Sequence, residues 1–336
     1  MANYLQRTFE ILTQLHFLPA GSAARVIKFL MLVADVVSLM LLVISILIFV
    51  LVKNRLAKRI CGIAMTVFLL FFLAQATLYV DMAFIEPNWI KVEHVKLHIP
   101  RLAPALKGVK IVHFSDLHTL RFGFRERQLI KKINAIQPDI VLFTGGFTGE
   151  DLKNLGDAVP EAAKVFGALK PQLGIWAATD DTDDSIFHDD PKTIQLLKDA
   201  GVRFLDNDAV KFADSKGNYF WLIGTEDVFY GKSGLNKAML RIPAKAPKIM
   251  ITHSPNIIDE ATEYGFDLVL VGKTHGGHTG IKALRDASEF IRKFKYIAGL
   301  YKVKDTYLYV NRGIGGKTSP YRLLCRPELT VYEIVE

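Results

Sequence analysis

Cysteine is scarce in this sequence, with two residues among 336, Cys61 and Cys325. Cys61 lies inside a long apolar run and Cys325 close to the C-terminus, so we expect no disulfide between them. A basic patch with interleaved aromatic residues is also missing, because half of the net charge of +8 comes from one short loop, 53–59. These absences argue against a disulfide-stabilised fold and against a nucleic-acid-binding protein.

Charge is almost absent from two stretches near the N-terminus. Between Phe29 and Val52 the one charged residue is Asp35, and between Ile60 and Val80 there is none. Each stretch reaches the roughly 20 apolar residues that cross a hydrocarbon layer about 30 Å thick. A buried hairpin of a soluble protein is disfavoured because soluble helices keep a polar face, and a cleaved signal peptide because the first run is too long. We therefore predict an N-terminal segment at 1–25, a two-helix transmembrane hairpin at 26–83 and a second domain at 88–336.

The loop between the two apolar stretches is rich in positive charge. Residues 53–59 contain four cations and no acid. Short cytoplasmic loops carry an excess of lysine and arginine, so this loop is expected in the cytoplasm, with the N-terminus and the second domain on the other side of the membrane. Arg7, Arg25 and Lys28 favour the opposite orientation over a longer segment. The sequence thus predicts a multi-pass membrane protein whose soluble domain is extracytoplasmic and whose first partner is the lipid bilayer.

The second domain alternates short apolar strands with helical stretches, a pattern typical of the α/β class. Strands are predicted at Lys110 to Phe114 and Asp139 to Thr144, with a helix at Glu126 to Ala135 between them. Further strands are predicted at 174–178, 219–224, 248–252, 267–271 and 306–311. Polar fragments follow the carboxyl ends of several of these strands, which is where ligand sites of α/β sheets collect.

One of these polar fragments carries a metal-binding pair. Asp116 and His118 are two residues apart just past a strand, so both side chains can point to the same side. A carboxylate beside an imidazole is a suitable first pair of ligands for a divalent cation. Alone this pair is a weak signal, and the fragments at 144–147, 252–254 and 272–277 are needed to define the site.

In order and spacing, these fragments resemble the motifs of the calcineurin-like metallophosphoesterases, and in particular their membrane-tethered bacterial subgroup. The resemblance covers about residues 88–336 and implies a four-layered α/β/β/α sandwich. The Asp-x-His motif is intact, and His253 matches the family's single histidine. Three motifs are altered: Gly-Asp reads Gly145-Gly146, Gly-Asn-His-Asp reads Asp180-Asp181-Thr182-Asp183, and Gly-His-Thr-His-Gly-Gly reads Gly272-Lys273-Thr274-His275-Gly276-Gly277.

The resemblance implies which residues hold metal. One divalent ion, manganese, zinc, iron or magnesium, would be bound by Asp116, His118 and His275. A second ion would keep His253, with Asp181 in place of the amide, but it would lack a histidine and the bridging carboxylate. Two doubly charged ions about 3.5 to 4 Å apart repel strongly without such a bridge. We therefore expect one ion if any is bound.

Three outcomes stay open. In the first, one ion is bound and the Lys273 ammonium replaces the second ion and attracts a phosphate. Thr182 then stands where the family has its general acid, whose loss costs about 10²- to 10⁴-fold in rate. In the second, the protein is a metal-free pseudoenzyme that acts as a membrane-bound binding or scaffolding module. In the third, other acids restore the missing ligands, namely Glu150 with Asp151, or the run Asp180, Asp181, Asp183 and Asp184.

The activity implied by the resemblance is hydrolysis of a phosphoester or a pyrophosphate. A short connection, 81–89, holds the domain against the bilayer and favours a phosphorylated or lipid-linked substrate. Membrane-tethered relatives include hydrolases of lipid-linked sugar nucleotides that act in the cytoplasm, a substrate that the predicted orientation would exclude. Nothing in the sequence indicates an oligomeric state.

Overall fold

The computed structural model describes residues 23–51, 53–149, 155–229, 233–316 and 320–336. Most of the predicted N-terminal segment, 1–25, lies outside these ranges. Glu150 and Asp151, two of the acids considered as replacement ligands, lie outside them as well.

Two long helices open the described chain. Helix α1 spans Ala23–Leu51 and helix α2 spans Arg55–Val80, and the two pack against each other. Asn54 caps α2 by accepting hydrogen bonds from the backbone N–H groups of Leu56 and Ala57. Both helices are long and apolar enough to cross a membrane, and α2 buries none of its residues. Such exposure of apolar side chains argues against a hairpin buried in a soluble core.

The rest of the described chain forms two mixed sheets of six strands each. The first sheet has the order β1-β12-β2-β3-β4-β5, and the second has the order β10-β11-β9-β8-β7-β6. The strands of the first sheet are β1 Lys91–His98, β2 Ile111–Phe114, β3 Ile140–Thr144, β4 Ile175–Ala178, β5 Val202–Phe204 and β12 Glu328–Val335. Those of the second are β6 Asp208–Ala213, β7 Tyr219–Gly224, β8 Lys248–Ile251, β9 Leu268–Val271, β10 Gly299–Val303 and β11 Thr306–Val310.

Shorter helices accompany the two sheets. They are α3 Ala103–Leu106, α4 Phe124–Ile136, α5 Leu155–Gly167, α6 Asp181–Asp189, α7 Pro191–Asp199, α8 Leu235–Met239, α9 Ile258–Glu263 and α10 Lys282–Asp286. One core lies between the first sheet and helices such as α4 and α5, a second lies between the two sheets, and a third joins the second sheet to α8 and α9. The predicted four-layered α/β/β/α sandwich preceded by two apolar helices is therefore confirmed.

The predicted strands agree with the structure to within about a residue at each end. Strands β2, β3 and β4 pair in parallel in the first sheet, and β7, β8 and β9 pair in parallel in the second. Because parallel strands point the same way, their carboxyl ends bring the following loops together. Those loops begin at Ser115, Gly145, Thr179, Thr225, Thr252 and Gly272, and they carry the polar fragments singled out in the sequence.

Candidate metal centre

Three histidine side chains surround one oxygen of Asp116. The distance from Asp116 Oδ1 is 3.5 Å to His118 Nε2, 3.4 Å to His275 Nε2 and 3.7 Å to His253 Nε2. The other carboxylate oxygen, Oδ2, accepts a hydrogen bond from the backbone N–H of Lys273 at 3.0 Å. This second bond fixes the carboxylate so that Oδ1 faces the imidazoles.

Backbone carbonyls orient two of these imidazoles. His118 Nδ1 lies 2.8 Å from the carbonyl oxygen of Thr148, and His253 Nδ1 lies 2.6 Å from that of Thr144. A carbonyl oxygen only accepts, so each Nδ1 donates and each Nε2 keeps its lone pair. Second contacts of this kind are typical of metal-binding histidines, because they fix both the tautomer and the ring orientation.

The inward-facing atoms have the chemistry that a divalent ion requires. Donor atoms of Asp116, His118 and His275 all lie within 4.8 Å of one another, and all three residues are buried. Asp116 Oδ1 and His118 Nε2 are buried and have no hydrogen-bond partner within the described part of the chain. Leaving such atoms unpaired costs about 1 to 3 kcal/mol each. The residues therefore fit a bound cation, which would take up both atoms.

The protonation states agree with this fit. Burial lowers the pKa of His275 well below its ordinary value, although Asp116 opposes the shift, so the imidazole is neutral at pH 7. Burial alone would raise the pKa of Asp116, but its contacts with His275, His253 and His118 hold that pKa well below its usual range. A neutral imidazole beside an ionised carboxylate is the form in which both bind metal.

The strained backbone at the site is also typical of functional centres. Asp116, His118 and His275 all adopt positive φ, at 51°, 42° and 49°. Such conformations cost of order 1 to 3 kcal/mol and persist where the surrounding structure imposes them. Gly313 packs close enough that an added Cβ would lie 2.7 Å from Asp116 Cβ, so this turn holds the Asp116 loop in place.

No family model matches the chain, but several curated proteins are similar to it. Phosphodiesterase YaeI of Escherichia coli is 27% identical over 265 residues, which cover 76% of this chain and 92% of that protein. A Danio rerio transmembrane protein with metallophosphoesterase domain is 28% identical over 254 residues, covering 71% of this chain and 56% of that protein. UDP-2,3-diacylglucosamine pyrophosphatase LpxG of Chlamydia trachomatis is 23% identical over 286 residues, covering 69% and 85%. Over about three quarters of its length the chain is thus similar to proteins named as metallophosphoesterases, in agreement with the resemblance seen in its motifs.

At Gly146, where the resemblance implies a bridging carboxylate, the structure leaves no room for a side chain. Gly146 has a φ of +80°, and a Cβ added there would lie 2.9 Å from His118 Cε1 and 3.0 Å from the Cα of Asp116. Real Cβ atoms essentially never approach the first atom so closely, and the second contact is with backbone. The glycine therefore allows its loop to pack directly onto the two metal-binding residues.

A second acidic residue beside His253, besides Asp116, is Asp180. Asp180 Oδ2 lies 3.7 Å from His253 Nε2, whereas Asp181, the residue expected to replace the family's amide, contacts Lys273. Asp180 caps helix α6 and accepts a hydrogen bond from the backbone N–H of Asp183 at 2.7 Å. Asp181 is the first residue of α6, and consecutive helical side chains are rotated by about 100°, so it points elsewhere. Asp180, and not Asp181, is therefore the residue of the acidic run that lies beside His253.

Lys273 is bound between two carboxylates. Its Nζ contacts Asp227 Oδ2, lies 3.3 Å from Asp181 Oδ2 and stands 4.6 Å from the ring centroid of Phe229. Burial opposes charge on this amine, but Asp227 outweighs burial and raises the pKa of Lys273. Both carboxylates contact the ammonium of Lys273, and the phosphate contact expected from the sequence stays a prediction. Asp227 was not predicted from the sequence. The feature that could have indicated it is an acidic residue just past the end of strand β7.

Asp183 holds two of the site loops together. Its carboxylate accepts hydrogen bonds from the backbone N–H groups of Gly146 at 2.8 Å, Phe147 at 3.1 Å and Asp180 at 3.2 Å. Burial, reinforced by Asp180, raises its pKa well above the usual range. Within the acidic run, the carboxylate of Asp183 is therefore occupied by hydrogen bonds from the backbone. Thr182 follows the cap in the first turn of α6, where it is half-buried.

Proposed function

We propose that this chain is a membrane-attached, one-ion metal-dependent hydrolase of phosphoesters or pyrophosphates. The observation that carries the proposal is the convergence of Asp116 Oδ1 and His118 Nε2, both buried and without a partner in the described residues, on His275. A pseudoenzyme is not favoured, because a scaffold gains nothing from leaving those atoms unpaired. The single-ion stoichiometry is supported by the lack of room for a side chain at Gly146 and by the ion pair of Lys273 with Asp227.

Each group in the site has a separate task. A bound divalent ion would polarise a phosphoryl oxygen and make a water molecule more acidic. Asp116, His118 and His275 would hold that ion, while the carbonyls of Thr148 and Thr144 fix the imidazoles of His118 and His253. Thr182 has no pKa near neutrality and supplies no general acid. The preferred substrates should therefore have leaving groups that need little protonation, as pyrophosphates do.

Metal analysis tests this proposal directly. We expect the purified full-length protein to contain close to one equivalent of a divalent metal and to hydrolyse bis(p-nitrophenyl) phosphate. A chelator should remove both the metal and the activity, and added manganese or zinc should restore them. Protein that binds no metal and leaves the diester intact would support the pseudoenzyme alternative. Two equivalents of metal would contradict the single-ion proposal.

A lipid-linked phosphate is the substrate class that we propose. The two apolar helices are compatible with membrane attachment, and one relative is named as a pyrophosphatase of UDP-2,3-diacylglucosamine. A site attached to a bilayer meets substrates that are anchored in that bilayer at high local concentration. The side of the membrane decides which lipid-linked phosphates are within reach.

We further propose that α1 and α2 both span the membrane and that the domain is extracytoplasmic. The support is the loop 53–59, with four cations and no acid. Alkaline phosphatase folds only in oxidising compartments, so we expect it to be active when fused after Glu336 and a green fluorescent protein to be active when inserted at Asn54. The reverse pattern would place the domain in the cytoplasm, where sugar-nucleotide lipids are found.

A further inference from the structure

The turn that follows α2 is bonded to the domain through a buried carboxylate. This turn, residues 81–88, consists of a π-helical segment, Asp81–Ile85, and a 3₁₀ segment, Glu86–Asn88. The Glu86 carboxylate is 4% exposed and accepts hydrogen bonds from the backbone N–H groups of Leu324, at 2.7 Å, and Cys325. Bonds from two N–H groups to one carboxylate are charge-assisted and therefore stronger than neutral ones.

Cys325 continues this connection to the metal-binding loop. Its thiol contacts the carbonyl oxygens of His275 at 3.5 Å and Gly276 at 3.6 Å. The packing here is tight, because a Cβ added at Gly276 would lie 2.7 Å from Cys325 Sγ. Glu86 is thus connected to His275 through two hydrogen bonds, one on each side of Cys325.

A second connection reaches Asp116. The carbonyl oxygen of Met82 accepts a hydrogen bond from the backbone N–H of Arg322 at 3.1 Å. The buried guanidinium of Arg322 donates to the carbonyl oxygen of Gly315 at 2.7 Å. The N–H of Gly315 in turn donates to the carbonyl oxygen of Asp116 at 2.7 Å. The turn at 81–88 therefore contacts the supports of both metal-binding loops.

We propose that Glu86 is a positioning residue for the metal centre, so that the end of the membrane helix forms part of the frame of the site. This inference rests on the proposed metal-binding function. Loss of the carboxylate leaves the N–H groups of Leu324 and Cys325, the second of them buried, without this acceptor and releases the Cys325 loop that supports His275. A domain taken to begin at residue 88 would lack this support.

The test uses the full-length chain with Glu86→Ala and, as a matched control, Glu333→Gln, which removes an exposed carboxylate on β12. Cobalt(II) is the probe, because its absorption spectrum reports ligand geometry as well as affinity. We expect Glu86→Ala to weaken cobalt binding about 10- to 100-fold, the range seen when a group supporting a metal ligand is lost. The spectrum of the bound ion should also change, whereas Glu333→Gln should match the unsubstituted protein.

Two substitutions at Cys325 keep the proposal testable should Glu86→Ala fail to fold. Cys325→Ala removes the donor to the carbonyl of His275, and Cys325→Ser keeps one. We expect the alanine variant to weaken cobalt binding and the serine variant to recover most of the affinity. Unchanged binding in both Glu86→Ala and Cys325→Ala would overturn the positioning role alone. Absence of cobalt binding by the unsubstituted chain would overturn the metal site itself.

Discussion

Replacing Asp116 by alanine should remove the bound metal and lower the rate of diester hydrolysis by at least about 100-fold. Loss of a group that merely supports a ligand costs about 10- to 100-fold in metal affinity or activity, and loss of a ligand should cost more. Asp116 Oδ1 lies within 3.7 Å of three imidazole nitrogens, so the substitution removes the oxygen on which the candidate ligands converge. Metal content and initial rates measure the two effects.

A matched variant shows whether the effect is specific. Asp199→Ala removes an exposed carboxylate at the end of α7, far along the chain from the site loops. It should keep both metal and activity. If Asp116→Ala retained its metal while folded, the assignment of the ion to this carboxylate would be wrong, even with activity reduced.

Replacing Lys273 by methionine should lower the free energy of unfolding by about 3 to 5 kcal/mol when measured in chelator. That range is typical for breaking a buried ion pair by removing one partner, because an uncompensated charge remains inside the protein. The side chain of Asp227 is fully buried, and it pairs with the ammonium of Lys273, whose own side chain is 9% exposed. Urea unfolding followed by circular dichroism gives the change.

The second substitution Asp227→Asn should restore much of the lost stability. With the buried charge removed as well, the Lys273→Met/Asp227→Asn protein should be more stable than Lys273→Met alone. Lys282→Met is the control, because it breaks a lysine–aspartate pair whose lysine is 79% exposed, and surface pairs contribute about 0 to 1 kcal/mol. Equal losses in Lys273→Met and Lys282→Met would show that the buried pair has no special importance.

Regular hydrophobic runs made the central strands of both sheets predictable. Strands β2, β3, β8 and β9 are short, largely apolar and buried along their whole length, so they can be predicted from their sequences. Strands β1 and β6 were not predicted, because most of their residues are half-exposed or exposed and charged residues interrupt their apolar positions. Strand β12 joins β1 in parallel and β2 antiparallel, an order that depends on contacts between distant parts of the chain.

The metal-binding residues could be located from sequence because motif spacing is a local property. The partners of Lys273 and His253 could not be predicted in the same way, because they depend on contacts between separate loops. Asp227 reaches Lys273 from the loop after β7, 46 positions away in the chain. Likewise, whether Asp180 or Asp181 approaches His253 depends on where α6 begins, and a shift of one residue exchanges their roles.

The packing around Gly146 also bears on how such a site evolves. A mutation that returns aspartate to position 146 would place its Cβ 2.9 Å from His118 and against the backbone of Asp116. The first step towards a two-ion site would therefore disturb Asp116 and His118, two of the residues proposed to hold the single ion. Recovery of a second ion would require the Gly146 loop, Asp183 that binds this loop, and Lys273 to change together. The residues that pack around Gly146 thus make the loss of an aspartate there hard to reverse. A one-ion arrangement then becomes a stable end point of divergence.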